Sequence, residues 1–261
     1  MTPALILFDL DDTLLRSDKS ISSYSIYVLK ACQKKGMLIA FATARGESNI
    51  RPFVEQVQPD IVISSGGAMI RWRGKIIDAQ TFTPNETAAI LAAGQRLMGK
   101  DCLITVDALD GYYGNYLADA DGLLTGWGEV ISADFSQFRE PALKICVNLP
   151  DDEMAKQVAT SASGCDWLRF SGGQWYKFTK ANVHKAYAVA RLSELLNIKP
   201  LDMMAFGDDV SDLGMLQYCG TGVAVANAIP EIKAAADIIV ASQDDDGPAA
   251  YLDKMYLQSE F

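Results

Sequence analysis

Histidine is nearly absent: His184 is the only one in the chain. The five cysteines, Cys32, Cys102, Cys146, Cys165 and Cys219, are odd in number and far apart, with no C-x-x-C pair. The sequence therefore holds no Cys/His cluster that would favour zinc, and its thiols read as the reduced cysteines of a cytoplasmic protein. Basic residues are also scarce. The 23 Lys and Arg are set against 33 Asp and Glu, a net charge of −10, which argues against a nucleic-acid surface. A single small anionic ligand, neutralised locally by a metal and one lysine, is still compatible with that balance. No stretch approaches the ~18 apolar residues of a membrane span. The N-terminal apolar run is broken by Asp9 and lacks the basic flank of a signal peptide. Internal repeats and low-complexity tracts are missing too. What is left is an ordinary globular composition, 49% hydrophobic and 21% charged over 261 residues, enough for one large domain or two modest ones. It suits a monomer or small homo-oligomer.

Against this background one stretch stands out. Leu5-Ile6-Leu7-Phe8 runs straight into Asp9-Leu10-Asp11-Asp12-Thr13. A short apolar run of this kind reads as a strand buried on both faces, as in a parallel sheet. Asp9 then stands at the carboxyl edge of that sheet, where open α/β folds bind ligands. Three carboxylates so close together repel one another unless a cation lies among them, and a hard, oxygen-seeking ion such as Mg²⁺ suits them. Taken alone, the same stretch is equally a strand followed by a solvated acidic turn.

The rest of the chain repeats the pattern. A helix capped by Ser22 or Ser23 runs to about Lys35, with Gly36 behind it. Met37–Ala42 is a second buried strand, ending in Thr43-Ala44-Arg45-Gly46. A helix over about 48–57 and a strand at 61–63, followed by Ser64-Ser65-Gly66-Gly67, complete a β-α-β-α-β series and imply a parallel sheet. From about residue 81 the texture changes. Thr83-Pro84-Asn85-Glu86 is a capping box that starts a helix to about Met98. Strands at 103–106, 112–117 and 143–149, a helix at 151–163, and strands at 167–171 and 175–179 joined by Gly172-Gly173 describe a separate α+β domain over 82–181. The first domain then resumes. A helix is expected from Asn182 to Leu196, carrying Lys185, and a strand at 203–206 ends in Gly207-Asp208-Asp209-Val210-Ser211-Asp212. A strand at 222–225 leads to Ala226-Asn227-Ala228. A helix at 230–236, a strand at 238–240 and a last helix from Pro248 close the chain.

Strand ends of a parallel sheet share one edge, so Asp9, Asp11, Thr43 and Asp208 are expected to converge, with Lys185 beside them. Two carboxylates from different strands can hold Mg²⁺, while a hydroxyl and an ammonium bind phosphate oxygens. Taken singly, each residue has a plainer explanation. Lys185 is a solvated helix lysine, Thr43 or Asp212 a helix cap, and Asp244-Asp245-Asp246 a solvated loop. His184 has no role that this chemistry needs.

The ordered motifs resemble those of haloacid dehalogenase superfamily phosphatases, most closely the Cof-like branch with a large inserted α/β cap. Asp9-Leu10-Asp11-Asp12-Thr13-Leu14 matches the nucleophile motif, Thr43-Ala44-Arg45 the threonine motif, Lys185 the lysine, and Gly207–Asp212 the acidic loop. Gly222–Ala228 resembles a later glycine–asparagine segment. The resemblance covers essentially the whole chain. It implies an α/β fold: a Rossmann-like parallel-sheet core, residues 1–81 and 182–261, with residues 82–181 inserted as a cap that selects substrate. It further implies Asp9 as nucleophile, Asp11 as acid/base, and Thr43 and Lys185 as stabilisers of charge. Mg²⁺ would be the cofactor, held by Asp9, Asp11, Asp208 and Asp212, with Asp11 using its backbone carbonyl. Leu10, Thr43, Ala44, Lys185, Ser211 and Asn227 would line the phosphate. The implied activity is hydrolysis of a small phosphorylated metabolite, a sugar phosphate or a cofactor phosphate, through an aspartyl-phosphate. A phosphomutase or phosphotransferase, or a silent phosphometabolite-binding regulator, are the alternatives. Ala44 replaces a usual glycine, Ser211 a usual asparagine, and Gly66 stands where asparagine is common. In the cap, Tyr112, Tyr113, Tyr116, Trp127, Trp167, Trp175 and Tyr176 are candidates to stack on the leaving group, about half of them being expected in the cap's own core.

Overall fold

Leu5–Phe8 forms the first strand, β1, and all four residues are fully buried. The structure, a computed structural model, describes residues 2–115, 130–170 and 173–258. Beyond β1 come α1 (Ser23–Lys34), β2 (Leu38–Ala42), α2 (Glu47–Val57) and β3 (Ile61–Ser64). The Ser22 side chain caps α1 by accepting from the Ser25 amide. Two strands that the sequence reading omitted follow, β4 (Met69–Trp72) and β5 (Lys75–Ala79). They are joined by Arg73-Gly74, both at positive φ, the backbone a two-residue type I′ turn requires. Arg71, Arg73 and Lys75 interrupt the apolar pattern here, and β5 is nowhere fully buried, so periodicity gave no signal.

The capping box at Thr83 and Glu86 forms and starts α3 (Pro84–Met98). Next are β6 (Ile104–Ala108), β7 (Tyr112–Gly114), β8 (Ile131–Ser132), β9 (Ala142–Asn148), α4 (Asp152–Ala159), β10 (Cys165–Arg169) and β11 (Trp175–Lys180). The strand expected over 112–117 runs past the described residues, as do Tyr116, Trp127 and Gly172. The helix expected from Asn182 starts at Lys185 instead (α5, Lys185–Leu196), because Asn182 has φ 65° and His184 takes the cap. β12 (Met203–Gly207), α6 (Leu213–Tyr218), β13 (Thr221–Val225), α7 (Pro230–Ala235), β14 (Ile238–Val240) and α8 (Gly247–Leu252) complete the order.

Among the described residues these strands make two sheets. The first has eight strands in the order β14-β13-β12-β1-β2-β3-β4-β5, parallel from β14 to β3 and antiparallel at β3–β4. Strand order that steps outward on both sides of β1 is the doubly wound arrangement expected of an α/β core. On one face Leu5, Leu7, Ala40, Ile63 and Ala205 pack with α5, α6 and α7 residues such as Val189, Leu216 and Ile232. The second sheet, order β10-β11-β9-β6-β7-β8, is antiparallel apart from the short β7–β8 pair.

The chain divides into two compact units: Met1–Ala44, Pro52–Asp78 and His184–Phe261 in the first, Arg45–Arg51 and Ala79–Val183 in the second. The division by sequence left Arg45–Arg51 in the first domain. The structure groups it with the second, so that the division falls inside α2, at Pro52, where the sequence shows one continuous helix. No helix among the described residues is long and apolar enough to cross a membrane.

Candidate active site

Phe206, Phe8 and Phe41 lie side by side in register across β12, β1 and β2. The chain leaves the sheet just beyond each of them, at the same edge. Asp9 therefore follows Phe8 there, Thr43 comes two residues after Phe41, and Asp208 two after Phe206. Parallel pairing brings together residues from opposite ends of the sequence.

Asp9 is buried, and its amide donates to the Phe206 carbonyl at 3.0 Å. Lys185, also buried, is the first residue of α5. Its Nζ donates to Asp9 Oδ1 at 2.5 Å and to Asp212 Oδ1 at 2.6 Å. The other oxygen of Asp212 accepts from the amides of Asp208 at 3.1 Å and Asp209 at 3.3 Å. Asp212 thus does not cap α6 with its side chain, the plainer role open to it by sequence; its carboxylate turns back over the strand end. Gly207 makes this fold possible, as a Cβ there would lie 2.5 Å from Asp212 Cβ. Gly67, at φ 107°, plays a similar part beneath α5: a Cβ would meet the His184 carbonyl oxygen at 2.4 Å. His184 itself is structural, its Nδ1 accepting from the Tyr187 amide at 3.2 Å at the start of α5.

One functional residue was missed. The Thr13 hydroxyl, fully buried, donates to Asp208 Oδ1 at 2.8 Å and orients that carboxylate. The available signal was a hydroxyl at the end of an acidic motif, too common to single out.

The electrostatics follow from burial. Desolvation holds the Asp9 carboxyl well above the usual carboxylate range; Lys185 opposes this, while Asp212 and Asp208 add to it. Burial likewise pushes Asp208 up to about 7, reinforced by Asp212 and partly offset by the Thr13 hydrogen bond. Burial alone would lower Lys185, but Asp212 and Asp9 outweigh it and hold the ammonium charged.

One carboxylate oxygen from each of Asp9, Asp208 and Asp212 lies within 4.8 Å of the others. An all-oxygen, anionic donor set with no thiolate or imidazole fits Mg²⁺. The Asp11 carboxylate is not in this cluster; Lys19 Nζ lies 3.3 Å from it. The Leu10 carbonyl accepts from the amides of Thr13, Leu14 and Leu15, which winds the motif into a tight turn. Thr43 is buried, its amide bound to the Ile63 carbonyl and its carbonyl to the Gly66 amide. Ala44 is not among the residues at positive φ, so the backbone accepts alanine there without strain. Ser211 is half-buried in the turn Val210–Asp212. Asn227 has a supporting role that was not foreseen: Nδ2 donates to the Asp12 carbonyl at 2.6 Å and Oδ1 accepts from the Gln243 amide at 3.3 Å, bracing the turn after Asp11.

In the second unit the aromatic residues divide by strand parity. Tyr176 is fully buried in the helix-side core, with Trp167 and Tyr113 packed against it. Tyr112 and Trp175 alternate onto the opposite face.

Comparison with known proteins agrees with this arrangement. A family profile of haloacid dehalogenase-like hydrolases matches residues 6–252. The HMP-PP phosphatase of Serratia proteamaculans is 26% identical over 238 residues, 88% of this chain and 86% of that protein. The 5-amino-6-(5-phospho-D-ribitylamino)uracil phosphatase YitU of Bacillus subtilis is 22% identical over 268 residues, 97% of this chain and 98% of that one. Among solved structures, the HAD subclass IIB sugar phosphatase BT4131 superposes with a TM-score of 0.81 at 22% identity, covering 96% of this chain and 98% of its own, and so shares the fold. With a profile match over nearly its full length and the family's motifs assembled at one sheet edge, the chain belongs to the haloacid dehalogenase-like hydrolases.

Proposed function

We propose that this protein is a Mg²⁺-dependent phosphatase that hydrolyses a small phosphorylated metabolite through an aspartyl-phosphate on Asp9. The observation that carries the reading is the buried lysine clamped between Asp9 and Asp212 beside a third carboxylate, Asp208. Asp9, Asp208 and Asp212, with the Asp11 backbone, would hold the ion. When bound, Mg²⁺ supplies the positive charge that cancels the repulsion between a phosphate dianion and an attacking carboxylate.

A carboxylate oxygen of Asp9 attacks phosphorus as the bond to the leaving oxygen breaks. Asp11 delivers its proton to the departing alkoxide. It then takes a proton from the water that attacks the phosphoryl-aspartate, releasing phosphate and restoring Asp9. Thr43 and Lys185 hold the phosphoryl oxygens as charge builds on them. The salt links of Lys185 keep it charged and fix its position before substrate arrives. The substrates named for the relatives, a ribitylaminouracil phosphate for YitU and sugar phosphates for BT4131, support a sugar or cofactor phosphate here. All five cysteines are unpaired, which supports a reducing cytoplasmic setting.

Phosphate release from a panel of phosphorylated metabolites with Mg²⁺, repeated in EDTA, tests the reading. Turnover should need the ion and no acceptor other than water. Full activity after exhaustive chelation would refute it.

A further inference from the structure

Lys19 Nζ lies 3.3 Å from Asp11 Oδ1 and 3.2 Å from Asp12 Oδ1, all within the first unit. A lysine with 46% of its side chain exposed ordinarily orders such a pair weakly, because a long flexible stem must be held still for it. Here the backbone beneath the lysine is pinned. Lys19 has φ 60°, its amide donates to the Arg16 carbonyl at 2.8 Å, and the Arg16 amide donates to the Ser20 carbonyl at 3.0 Å. Asp18 Oδ1 tightens the same turn by accepting from the Ser20 amide at 2.9 Å.

The turn is anchored on residues 243–246, from the other end of the chain. Arg16 lays its guanidinium on Asp246, with Nε 3.3 Å from Oδ1 and Nη2 2.5 Å from Oδ2, the two-point geometry that makes an arginine–carboxylate pair directional. Asp246 also accepts from the buried Ser25 hydroxyl at 3.0 Å. Ser17 donates its amide to Asp244 Oδ1 at 2.9 Å and its hydroxyl to Oδ2 at 2.6 Å. The anchor is closed on itself: the Gly247 amide donates to the Ser242 carbonyl at 2.9 Å, and the Ser242 hydroxyl to Asp245 at 2.7 Å. It also reaches Asp12 from a second side, through the Gln243 amide and Asn227. The acidic run Asp244-Asp245-Asp246, plain solvated loop by sequence, is therefore used residue by residue.

In the hydrolytic half of the reaction a water oxygen bonds to phosphorus. The bond from phosphorus to Asp9 breaks with its electron pair left on the Asp9 carboxylate, and one water proton passes to Asp11. Asp11 must be aimed at that water, and its carboxylate stands outside the cluster of Asp9, Asp208 and Asp212. We propose that Lys19 is a positioning residue, held by the Arg16–Asp246 and Ser17–Asp244 links, that fixes the Asp11 carboxylate for proton removal from the water that hydrolyses the phosphoryl-aspartate. The proposal rests on the phosphatase reading and extends its machinery to a strut that no sequence motif marked.

Stopped-flow release of p-nitrophenolate from p-nitrophenyl phosphate with Mg²⁺ separates the two halves, since the phenolate departs before the water step. Lys19→Met removes the ammonium and keeps most of the stem. It should raise the ratio of first-turnover rate to steady-state rate by about tenfold, as expected when a reacting group is misplaced. Asp246→Asn removes the charge that Arg16 grips, and asparagine tolerates the φ of 53° found there. This variant should raise the ratio less, and should add nothing in the Lys19→Met background if the anchor acts through Lys19. Lys19 is exposed, so Lys19→Met decides the proposal whether or not Asp246→Asn folds. Both rates slowed in proportion in Lys19→Met, as for a lysine that only attracts the dianion or a turn that only supports the fold, overturn this proposal alone. Additive effects of the two substitutions overturn the role of the anchor. A wild-type protein that releases no phosphate overturns the phosphatase reading and this proposal with it.

Discussion

Each unit buries a lysine against carboxylates, and the two clusters differ in the charge left over. In the first unit one ammonium, Lys185, serves Asp9 and Asp212 directly, with Asp208 adjoining them. The surplus is negative, and it shows in the raised affinity of Asp9 and Asp208 for protons. In the second unit burial alone would lower Lys144, but Asp107 outweighs it and holds the ammonium charged, with the Arg45 guanidinium only a small opposing influence. Burial costs both clusters free energy, so neither arrangement is there for stability alone. The first has the charge and donor set for an added cation, whereas the second already holds its own cations.

The sharpest break in this comparison is Asp9→Asn. It keeps the shape of the site but removes the attacking charge, and phosphate release should fall by several orders of magnitude, as for members of other catalytic units. Near-normal turnover would mean that Asp9 is not the nucleophile.

Lysine removal separates the two clusters. Lys185→Met and Lys144→Met should each cost about 3–5 kcal/mol by stranding buried carboxylate charge. Millimolar Mg²⁺ should restore part of the loss only for Lys185→Met, where a cation can replace the ammonium among three carboxylates. Equal recovery of the two melting temperatures would erase the distinction.

The pH response of the metal-free protein follows from the same surplus. Asp9 and Asp208 bind protons more tightly folded than unfolded, Asp208 up to about 7. Their contribution to stability is full below the unfolded value of ~4 and is lost at higher pH, that of Asp208 as pH rises through about 7. Mg²⁺ should therefore raise the melting temperature more at about pH 8 than at about pH 5.5. Equal gains at the two pH values would contradict the raised affinities.

The smallest effect is expected of Gly207→Ala. Its Cβ would stand 2.5 Å from that of Asp212, so the acidic turn must shift, at a cost of about 1–3 kcal/mol. Weaker Mg²⁺ binding should accompany the loss; unchanged metal affinity would show that the turn tolerates displacement.

Sequence alone determined the elements whose signal is local. Leu5–Phe8, Leu38–Ala42 and Met203–Gly207 are apolar runs that only a doubly covered strand explains, and each leads directly to polar residues. Period and polarity therefore placed Asp9, Thr43 and Asp208 at one edge, and the capping box placed α3. The β4–β5 hairpin was not legible, because charged residues interrupt the short apolar run of β4, and β5 is a partly exposed edge strand with little periodicity. The start of α5 was misplaced because left-handed Asn182 and the capping His184 look like helix residues in sequence.

Tertiary structure alone decided which partner each polar side chain takes. Asp212 could cap a helix or face Lys185; Asn227 could meet phosphate or brace Asp12; Thr13 could be solvated or orient Asp208. Asn49 could be an ordinary surface asparagine or a buried one, with neither end of its side-chain amide hydrogen-bonded among the described residues. Each choice depends on groups far away in the chain and on whether water can reach the atom. Neither of these is encoded in the residues on either side.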